Sequence, residues 1–290
     1  MKLANIDGRA ALVFVTDDRA LALDVETASN GRFGSDPQAL YADWGSFTAW
    51  AGTVRAGGEP FERSRLGAPV PRPRQVFAIG INYAEHAAES GYPEGSLPVT
   101  FTKFPSSLTG PDAEVELPPG SVDWEVELVV AISRSARNVP REEAWDYVAG
   151  LTVGQDLSER EAQNAGSKPQ YSLAKSHTGF GPMGPWLVSV DEFAHPDDLA
   201  ISSTLTGEVM QSSRTSKMIY SIADLIFELS RVCELYPGDV IFSGTPAGVG
   251  NARTPKRFIG PDDDLVSEIE GIGHIRNTFR ARQSVPSGSR

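Results

Sequence analysis

Apolar residues recur with two different periods along the chain. Short runs of alternating or continuous apolar residues predict strands, and from residue 75 onward these runs read VFAIGI, WEVELVVAI, YVAGLTVGQ, WLVSV, AISSTLTG and DVIFSG. A spacing of 3.6 residues predicts helices over 81–90, 141–148 and 221–235, the last with Ser221 as its N-cap. Because strands do not alternate regularly with helices, the pattern favours a β-rich α+β domain over a doubly wound parallel sheet.

The first 70 residues predict a small N-terminal α/β domain. Strand-like AALVFV and ALAL precede a helical stretch near 37–54, and three prolines then predict an extended linker at Pro69, Pro71 and Pro73. We therefore expect a small domain at 1–70, a larger domain at 71–282 and a disordered tail at 283–290.

One predicted strand carries carboxylates beside its core residues. In SVDWEVELVV (121–130), alternation places Asp123, Glu125 and Glu127 on one face and apolar side chains on the other. The acids either point into water or hold a metal ion. Two carboxylates about 5 Å apart repel by roughly 3 kcal/mol at an effective dielectric near 20, so a pocket that holds both needs a proton or a cation. Asp156, just past the strand YVAGLTVGQ, would add a third carboxylate, a set that suits Mg²⁺ or Mn²⁺.

Three further segments carry candidate chemistry. His86 and Glu89 share a helix face, which is typical of an imidazole base oriented by a carboxylate, or of an incidental surface pair. Lys175 lies in a glycine-rich loop and is either functional or simply solvated. Thr245 belongs to SGTPAGVG, a turn that either presents donors to an oxyanion or only reverses the chain.

The stretch GFGPMG (179–184) matches the G-x-G-x-x-G pattern of dinucleotide-binding proteins. That fingerprint requires a helix opening inside the glycines, and Pro182 and Pro185 prevent one. We expect these glycines to shape a loop instead.

The net charge and the cysteine content limit the kinds of binding partner and the cellular compartment that we expect. The net charge of −12 argues against nucleic acid and anionic membranes as partners. No apolar run approaches the length of a membrane span, and the start MKLANIDGRAALVFV does not resemble a signal peptide. Cys233 is the single cysteine and is expected to be a buried structural thiol in a reducing compartment. We expect a cytoplasmic protein with a small-molecule ligand.

Seven stretches, in order, resemble the fumarylacetoacetate hydrolase family: GINYAEHAAE, FTKFPSSLTGP, VDWEVELVV, GQDLSEREAQ, AKSHTGFGPMGP, GDVIFSGTPAGVG and GIGHIRNTF. The resemblance covers roughly residues 74–280. It implies curved, mixed β-sheets that form a roll, a small preceding domain and, in most members, a homodimer.

The resemblance also implies a metal centre. Glu125, Glu127 and Asp156 would hold Mg²⁺, with Mn²⁺ or Ca²⁺ as alternatives, and Lys175 would lie beside the metal and the carboxylate or enolate of the substrate. Asp123 would remain an acid at the start of the strand, outside the ligand set.

Other matched positions would act on the substrate. His86 with Glu89 would activate water, and Gln163 and Thr245 would contact the substrate. The family often has Phe-Asp-Thr where this chain has residues 177–179, so the local substrate preference and the role of His177 stay open.

The implied reaction is hydrolysis of a C–C bond in an acylpyruvate, a 1,3-diketo acid such as fumarylpyruvate, with release of pyruvate. The same site in the family also serves decarboxylation of oxaloacetate-like acids and isomerisation or tautomerisation of 2-hydroxydienoates. An alternative of a different class is a non-catalytic protein with a structural divalent ion. A structural ion is normally enclosed by protein ligands, whereas three carboxylates leave coordination positions open. The presence of His86, Glu89 and Lys175 also argues against that alternative.

Overall fold

The computed structural model describes residues 1–16, 19–89 and 98–282, so the predicted disordered tail at 283–290 lies outside the described residues. The strands are β1 (Lys2–Ile6), β2 (Arg9–Thr16), β3 (Arg19–Asp24), β4 (Glu59–Pro60), β5 (Leu66–Gly67), β6 (Val76–Gly80), β7 (Val99–Thr102), β8 (Leu108–Thr109), β9 (Glu114–Leu117), β10 (Val122–Asp123), β11 (Val126–Ile132), β12 (Val148–Gln155), β13 (Ser158–Glu159), β14 (Gly181–Val188), β15 (Ala200–Leu205), β16 (Glu208–Arg214), β17 (Val240–Phe242), β18 (Asp264–Ile269) and β19 (Gly273–Ala281). The α-helices are α1 (Val25–Ala28), α2 (Trp44–Ala51), α3 (Ala84–Glu89), α4 (Arg160–Gln163), α5 (Tyr171–Ala174) and α6 (Ile222–Val232).

The largest sheet has the strand order β4-β3-β2-β1-β14-β12-β11-β17-β6-β7, with β5 attached to β1 and β8 to β14. It is mixed, since β17 pairs with β6, and β14 with β8, in parallel among antiparallel neighbours. A second mixed sheet has the order β16-β15-β18-β19-β9, and β10 pairs with β13. The predicted β-rich α+β fold with mixed sheets is confirmed. Strand β1 pairs with β14, so the N-terminal strands extend the sheet of the larger predicted domain, and the boundary at residue 70 stays a prediction.

Strand β11 is buried along its whole length. Its even-numbered side chains, including Leu128, pack in a core with α6 and the second sheet. On the opposite face, Val129 and Ala131 pack in a separate core that includes Phe47 of α2. The interpretation that the acidic face of this strand points into water is therefore wrong, because Glu127 is buried and the residues after it on that face pack in the second core.

Helix α6 begins where the sequence predicts. Ser221 accepts a hydrogen bond from the backbone N–H of Asp224, and the Asp224 carboxylate accepts one from the backbone N–H of Ser221. Cys233, expected as a buried structural thiol, is the C-cap of α6; it packs against the core and is partly buried.

Three other local predictions differ from the structure. The segment 37–54 divides into a 3-10 helix (Ala39–Asp43) and α2, and the segment 141–148 forms a 3-10 helix, Arg141–Tyr147. The expected loop at 179–184 is partly strand, since β14 begins at Gly181. Glycine suits this strand because a Cβ at Gly181 or Gly184 would collide with Leu108 or Pro111. No helix within the described ranges is long and apolar enough to cross a membrane.

Candidate active site

Three carboxylates converge where β11 and β12 meet. Glu127 lies in β11, Glu125 directly precedes that strand, and Asp156 directly follows β12. The antiparallel register pairs Val126 with Gln155, and the backbone N–H of Asp156 donates to the carbonyl of Glu125 at 2.9 Å. One carboxylate oxygen from each of the three lies within 4.8 Å of the others, and all three residues are buried. The pairing of the two strands therefore assembles the acidic cluster expected from the sequence, which we call the acidic triad.

Two buried lysines neutralise part of this charge. The Lys175 ammonium donates to Glu125 Oε2 at 2.6 Å and to Asp156 Oδ2 at 2.7 Å. The Lys103 ammonium donates to Asp156 Oδ1 at 2.7 Å and to the carbonyl of Lys175. Lys103 was not among the predicted site residues. The one available signal was that it is the single basic residue of FTKFPSSLTGP, which is otherwise uncharged.

Arg160 and Asp123 form the other side of the cluster. Arg160 Nη2 lies 2.7 Å from Glu125 Oε1, and Arg160 Nε donates to Asp123 Oδ2 at 2.9 Å. Asp123 is fully buried and also accepts backbone N–H groups of Trp124, Gly250 and Asn251. Asp123 precedes β11 and lies outside the acidic triad, and it also organises Arg160 and the 248–252 turn.

The buried charges do not balance within the protein. Four carboxylates face three cations, which leaves one net negative charge in the network of Asp123, Glu125, Glu127, Asp156, Lys103, Arg160 and Lys175. Glu127 carries the imbalance: its Oε2 accepts the backbone N–H of Gly244 at 2.8 Å, and it forms no ion pair with another described residue. Burial and the nearby Asp156 and Glu125 carboxylates raise the pKa of Glu127 well above its usual value.

The charged partners around Glu127 have shifted pKa values as well. Burial alone would raise the pKa of Glu125, but the positive charges of Lys175 and Arg160 lower it to about 2. Burial lowers the pKa of Lys103 despite its pairing with Asp156. For Lys175, burial would also lower the pKa, yet Asp156 and Glu125 together raise it. Glu125 and Lys175 are therefore held as a charged pair, whereas Glu127 needs either a proton or a further cation.

A cavity of about 320 Å³ opens onto the triad at Glu125, and its wall includes His86, Glu89, Lys175, Gln163 and Thr245. His86 Nδ1 lies 2.6 Å from Glu89 Oε1. Glu89 Oε2 also accepts the backbone N–H of Gly248 at 3.1 Å, which ties α3 to the turn after β17. With Nδ1 engaged by a carboxylate, Nε2 is the ring nitrogen available for proton transfer.

The expected substrate contacts, Gln163 and Thr245, line the cavity, but their polar atoms are partly engaged. Gln163 Oε1 accepts from Arg160 Nη1 at 2.9 Å, which leaves its amide N–H groups for a ligand. The Thr245 hydroxyl donates to the carbonyl of Val126 at 2.9 Å and accepts from Gln211. Its proton is therefore already used, and Thr245 forms part of the cavity wall. His177 does not line this cavity; its ring centroid lies 4.8 Å from that of Phe180, and burial lowers its pKa.

The family model for the fumarylacetoacetate (FAA) hydrolase C-terminal domain matches residues 75–280. The chain belongs to the fumarylacetoacetate hydrolase family. The human protein named oxaloacetate tautomerase FAHD2A, mitochondrial, is 43% identical over 212 residues, which are 72% of this chain and 68% of that relative.

Solved structures agree with this membership. A protein of Mycobacterium smegmatis, for which the name HpcE has been suggested, is 53% identical with a TM-score of 0.92, covering 98% of this chain and 100% of that one. Maleylpyruvate hydrolase of Sphingobium sp. SYK-6, solved with manganese(II) and pyruvate, is 26% identical with a TM-score of 0.80, covering 98% of this chain and 100% of that one. The members of this family are enzymes, and the acidic triad is a site that could bind a metal ion.

A divalent cation fits the acidic triad of this family member on physical grounds. Its three carboxylates offer only oxygen ligands, which hard cations such as Mg²⁺ and Mn²⁺ prefer. The single uncompensated negative charge would become a net positive charge of one with a divalent ion. The loaded site would then attract an anionic substrate.

Proposed function

We propose that the protein is a divalent-metal-dependent hydrolase that cleaves a C–C bond in an acylpyruvate, such as fumarylpyruvate, and releases pyruvate. The observation that carries this proposal is the His86–Glu89 pair, which lines the same cavity as Glu125 and Lys175. The similar maleylpyruvate hydrolase, solved with manganese(II) and pyruvate, supports both the reaction class and the metal.

Glu125, Glu127 and Asp156 would hold Mg²⁺ or Mn²⁺. When bound, the ion supplies Lewis acidity that polarises the oxygens of a 2-oxo acid. Lys175 would add positive charge at the pyruvyl end of the substrate, since it lines the cavity. Two of its three N–H groups donate to Glu125 and Asp156, and the third would donate to the substrate.

The proton transfers fall to His86. Its Nε2 would accept a proton from water as the water oxygen bonds to the distal carbonyl carbon, and Glu89 would stabilise the resulting imidazolium. The C–C bond then breaks, its electron pair passes to the pyruvyl fragment as an enolate, and His86 returns the proton to the enolate carbon. The products are a carboxylic acid and pyruvate, and the base is regenerated.

A second candidate is tautomerisation of oxaloacetate, which is supported by the name of the 43% identical human relative. In this reaction His86 would move a proton between C3 and the enol oxygen, and no water would be consumed. Decarboxylation of oxaloacetate-like acids and isomerisation of 2-hydroxydienoates use the same enolate chemistry and remain alternatives.

The test is a substrate panel of acetylpyruvate, fumarylpyruvate, oxaloacetate and a 2-hydroxydienoate, each with and without Mg²⁺. Pyruvate with an equimolar acid identifies hydrolysis, pyruvate with CO₂ identifies decarboxylation, and a change in the keto–enol ratio alone identifies tautomerisation. Full activity in chelator would contradict the metal requirement.

Two variants examine the assigned roles. His86→Ala should reduce hydrolysis by roughly 10²-fold or more while metal binding persists, since a general base contributes about that factor. The control His195→Ala, at an exposed histidine, should retain activity. Glu127→Ala should lose both metal and activity, and an unchanged metal affinity would remove Glu127 from the ligand set.

The cytoplasmic location, the homodimer and the absence of nucleic-acid and membrane partners stay predictions. The similar human protein carries the word mitochondrial in its name, which is said of that protein. Cell fractionation and sedimentation of the purified protein would test the first two.

A further inference from the structure

A second cavity, of about 520 Å³, adjoins the catalytic cavity. The two share three wall residues, Arg160, Asn164 and Asn251. The second cavity, which we call the outer cavity, is further lined by Lys256 and Glu161. Since Arg160 contacts Glu125 directly, a ligand anchored at the triad that extends past Arg160 and Asn251 enters the outer cavity.

Lys256 is the basic residue of this wall that forms no ion pair with another described residue. Its ammonium donates to Asn251 Oδ1 at 2.9 Å, and within the described part of the chain it has no carboxylate partner. The guanidinium of Arg160, by contrast, is already engaged by Asp123, Glu125 and Gln163. Lys256 therefore keeps two N–H donors and its full charge for a ligand.

Asn251 holds Lys256 in a defined place relative to the catalytic centre. The backbone N–H of Asn251 donates to Asp123 Oδ2 at 3.0 Å, and Asp123 is the buried carboxylate that also orients Arg160. Hydrogen bonds thus run without a break from Glu125 to Lys256, by way of Arg160, Asp123 and Asn251. A ligand that spans the two cavities would meet the exposed ammonium of Lys256, which Asn251 holds by one hydrogen bond, at its far end.

We propose that Lys256, positioned by Asn251, binds the second carboxylate of a dicarboxylic 2-oxo acid whose first carboxylate and oxo group lie at the triad. This inference rests on the proposed function, since it assumes that a 2-oxo acid binds at the triad. Glu161 lies in the same wall, where its Oε1 accepts from the Ser121 hydroxyl at 2.9 Å. Its charge opposes an anion, so Glu161 limits the affinity of this subsite.

A binding experiment tests the subsite without requiring turnover. The probes are 2-oxoadipate and 2-oxohexanoate, which share the 2-oxo acid head and the six-carbon chain and differ only in the second carboxylate. Calorimetry with Mn²⁺-supplemented protein should give about tenfold tighter binding of the diacid, the usual scale of one charge-assisted hydrogen bond. Lys256→Gln should abolish this preference and leave binding of the monoacid within twofold.

Matched variants sharpen the result. Lys256→Arg should keep most of the preference, and Lys2→Gln, which removes the same charge from β1, should not change it. Glu161→Gln should strengthen binding of the diacid a few-fold and leave the monoacid unchanged. An equal loss for both probes in Lys256→Gln would indicate a general anion or folding effect, and would overturn the subsite.

Kinetics separate this inference from the proposed function. Lys256→Gln should raise KM about tenfold for fumarylpyruvate and leave KM for acetylpyruvate unchanged. If the wild type hydrolyses neither acylpyruvate but shows the binding preference, the proposed function fails and the subsite stands. If hydrolysis occurs and Lys256→Gln leaves the diacid preference intact, the subsite is refuted. If neither probe binds and neither acylpyruvate is hydrolysed, both the subsite and the proposed function are refuted.

Discussion

Replacing Asp123 by Asn isolates the contribution of one buried charge that is not a proposed metal ligand. The substitution keeps the shape of the side chain and removes its negative charge. Oδ1 accepts the backbone N–H groups of Trp124 and Gly250 at 2.8 and 2.7 Å, and these bonds can persist to the amide oxygen of Asn. Oδ2 accepts Arg160 Nε at 2.9 Å and the N–H of Asn251 at 3.0 Å. An amide NH₂ group at that position would face donors only.

The expected cost follows from these lost partners. Two buried donors without an acceptor cost about 1–3 kcal/mol each, and removing one partner of a buried ion pair costs about 3–5 kcal/mol. Arg160 keeps Glu125 and Gln163, so we expect the lower end, about 3 kcal/mol in the free energy of unfolding. Urea denaturation followed by circular dichroism measures this quantity.

The matched control is Asp262→Asn, which removes the same charge from an exposed residue and should change stability by less than about 0.5 kcal/mol. A cost below about 1 kcal/mol for Asp123→Asn, or one equal to the control, would refute the view that Asp123 organises the site.

Three further outcomes are expected. Ser221→Ala should lower the unfolding free energy by about 1 kcal/mol because it removes the N-cap of α6, whereas the exposed Ser167→Ala should be neutral. Gly154→Ala should cost about 1–3 kcal/mol in the same assay, since a Cβ there would collide with the side chains of Val129 and Phe242. Mn²⁺ at a hundredfold excess over its Kd should stabilise the wild type by about 2.7 kcal/mol. The same stabilisation in Glu127→Gln would contradict a ligand role for that residue.

Much of the site was predictable because its residues follow local patterns. Glu125 and Glu127 were found by their two-residue spacing on a strand, Asp156 by its position after a strand end, and His86 with Glu89 by a three-residue helical spacing. The family resemblance joined these separate signals. The structure clusters Glu125, Glu127 and Asp156. It places His86, Glu89 and Lys175 in the wall of the cavity that reaches Glu125, and their roles stay predictions.

The missed residues owe their importance to distant partners. Lys103 is 53 residues from Asp156 in sequence, and a lysine in a loop predicts solvation unless its partner is known. Arg160, in GQDLSEREAQ, was not singled out from the sequence, although its guanidinium donates hydrogen bonds to the carboxylates of Asp123 and Glu125. The partners of the Thr245 hydroxyl, Val126 and Gln211, were likewise not visible in the sequence, because they are distant along the chain.

The sequence by itself determined the strand-rich class, the helix start at Ser221 and the carboxylate set of SVDWEVELVV, because periodicity and capping depend on near neighbours. Tertiary structure alone decided that both faces of β11 are buried and that Asp123 is structural. It also decided that one negative charge stays uncompensated at Glu127. Burial and charge balance are sums over atoms that the chain brings together from far apart, so no single segment contains them.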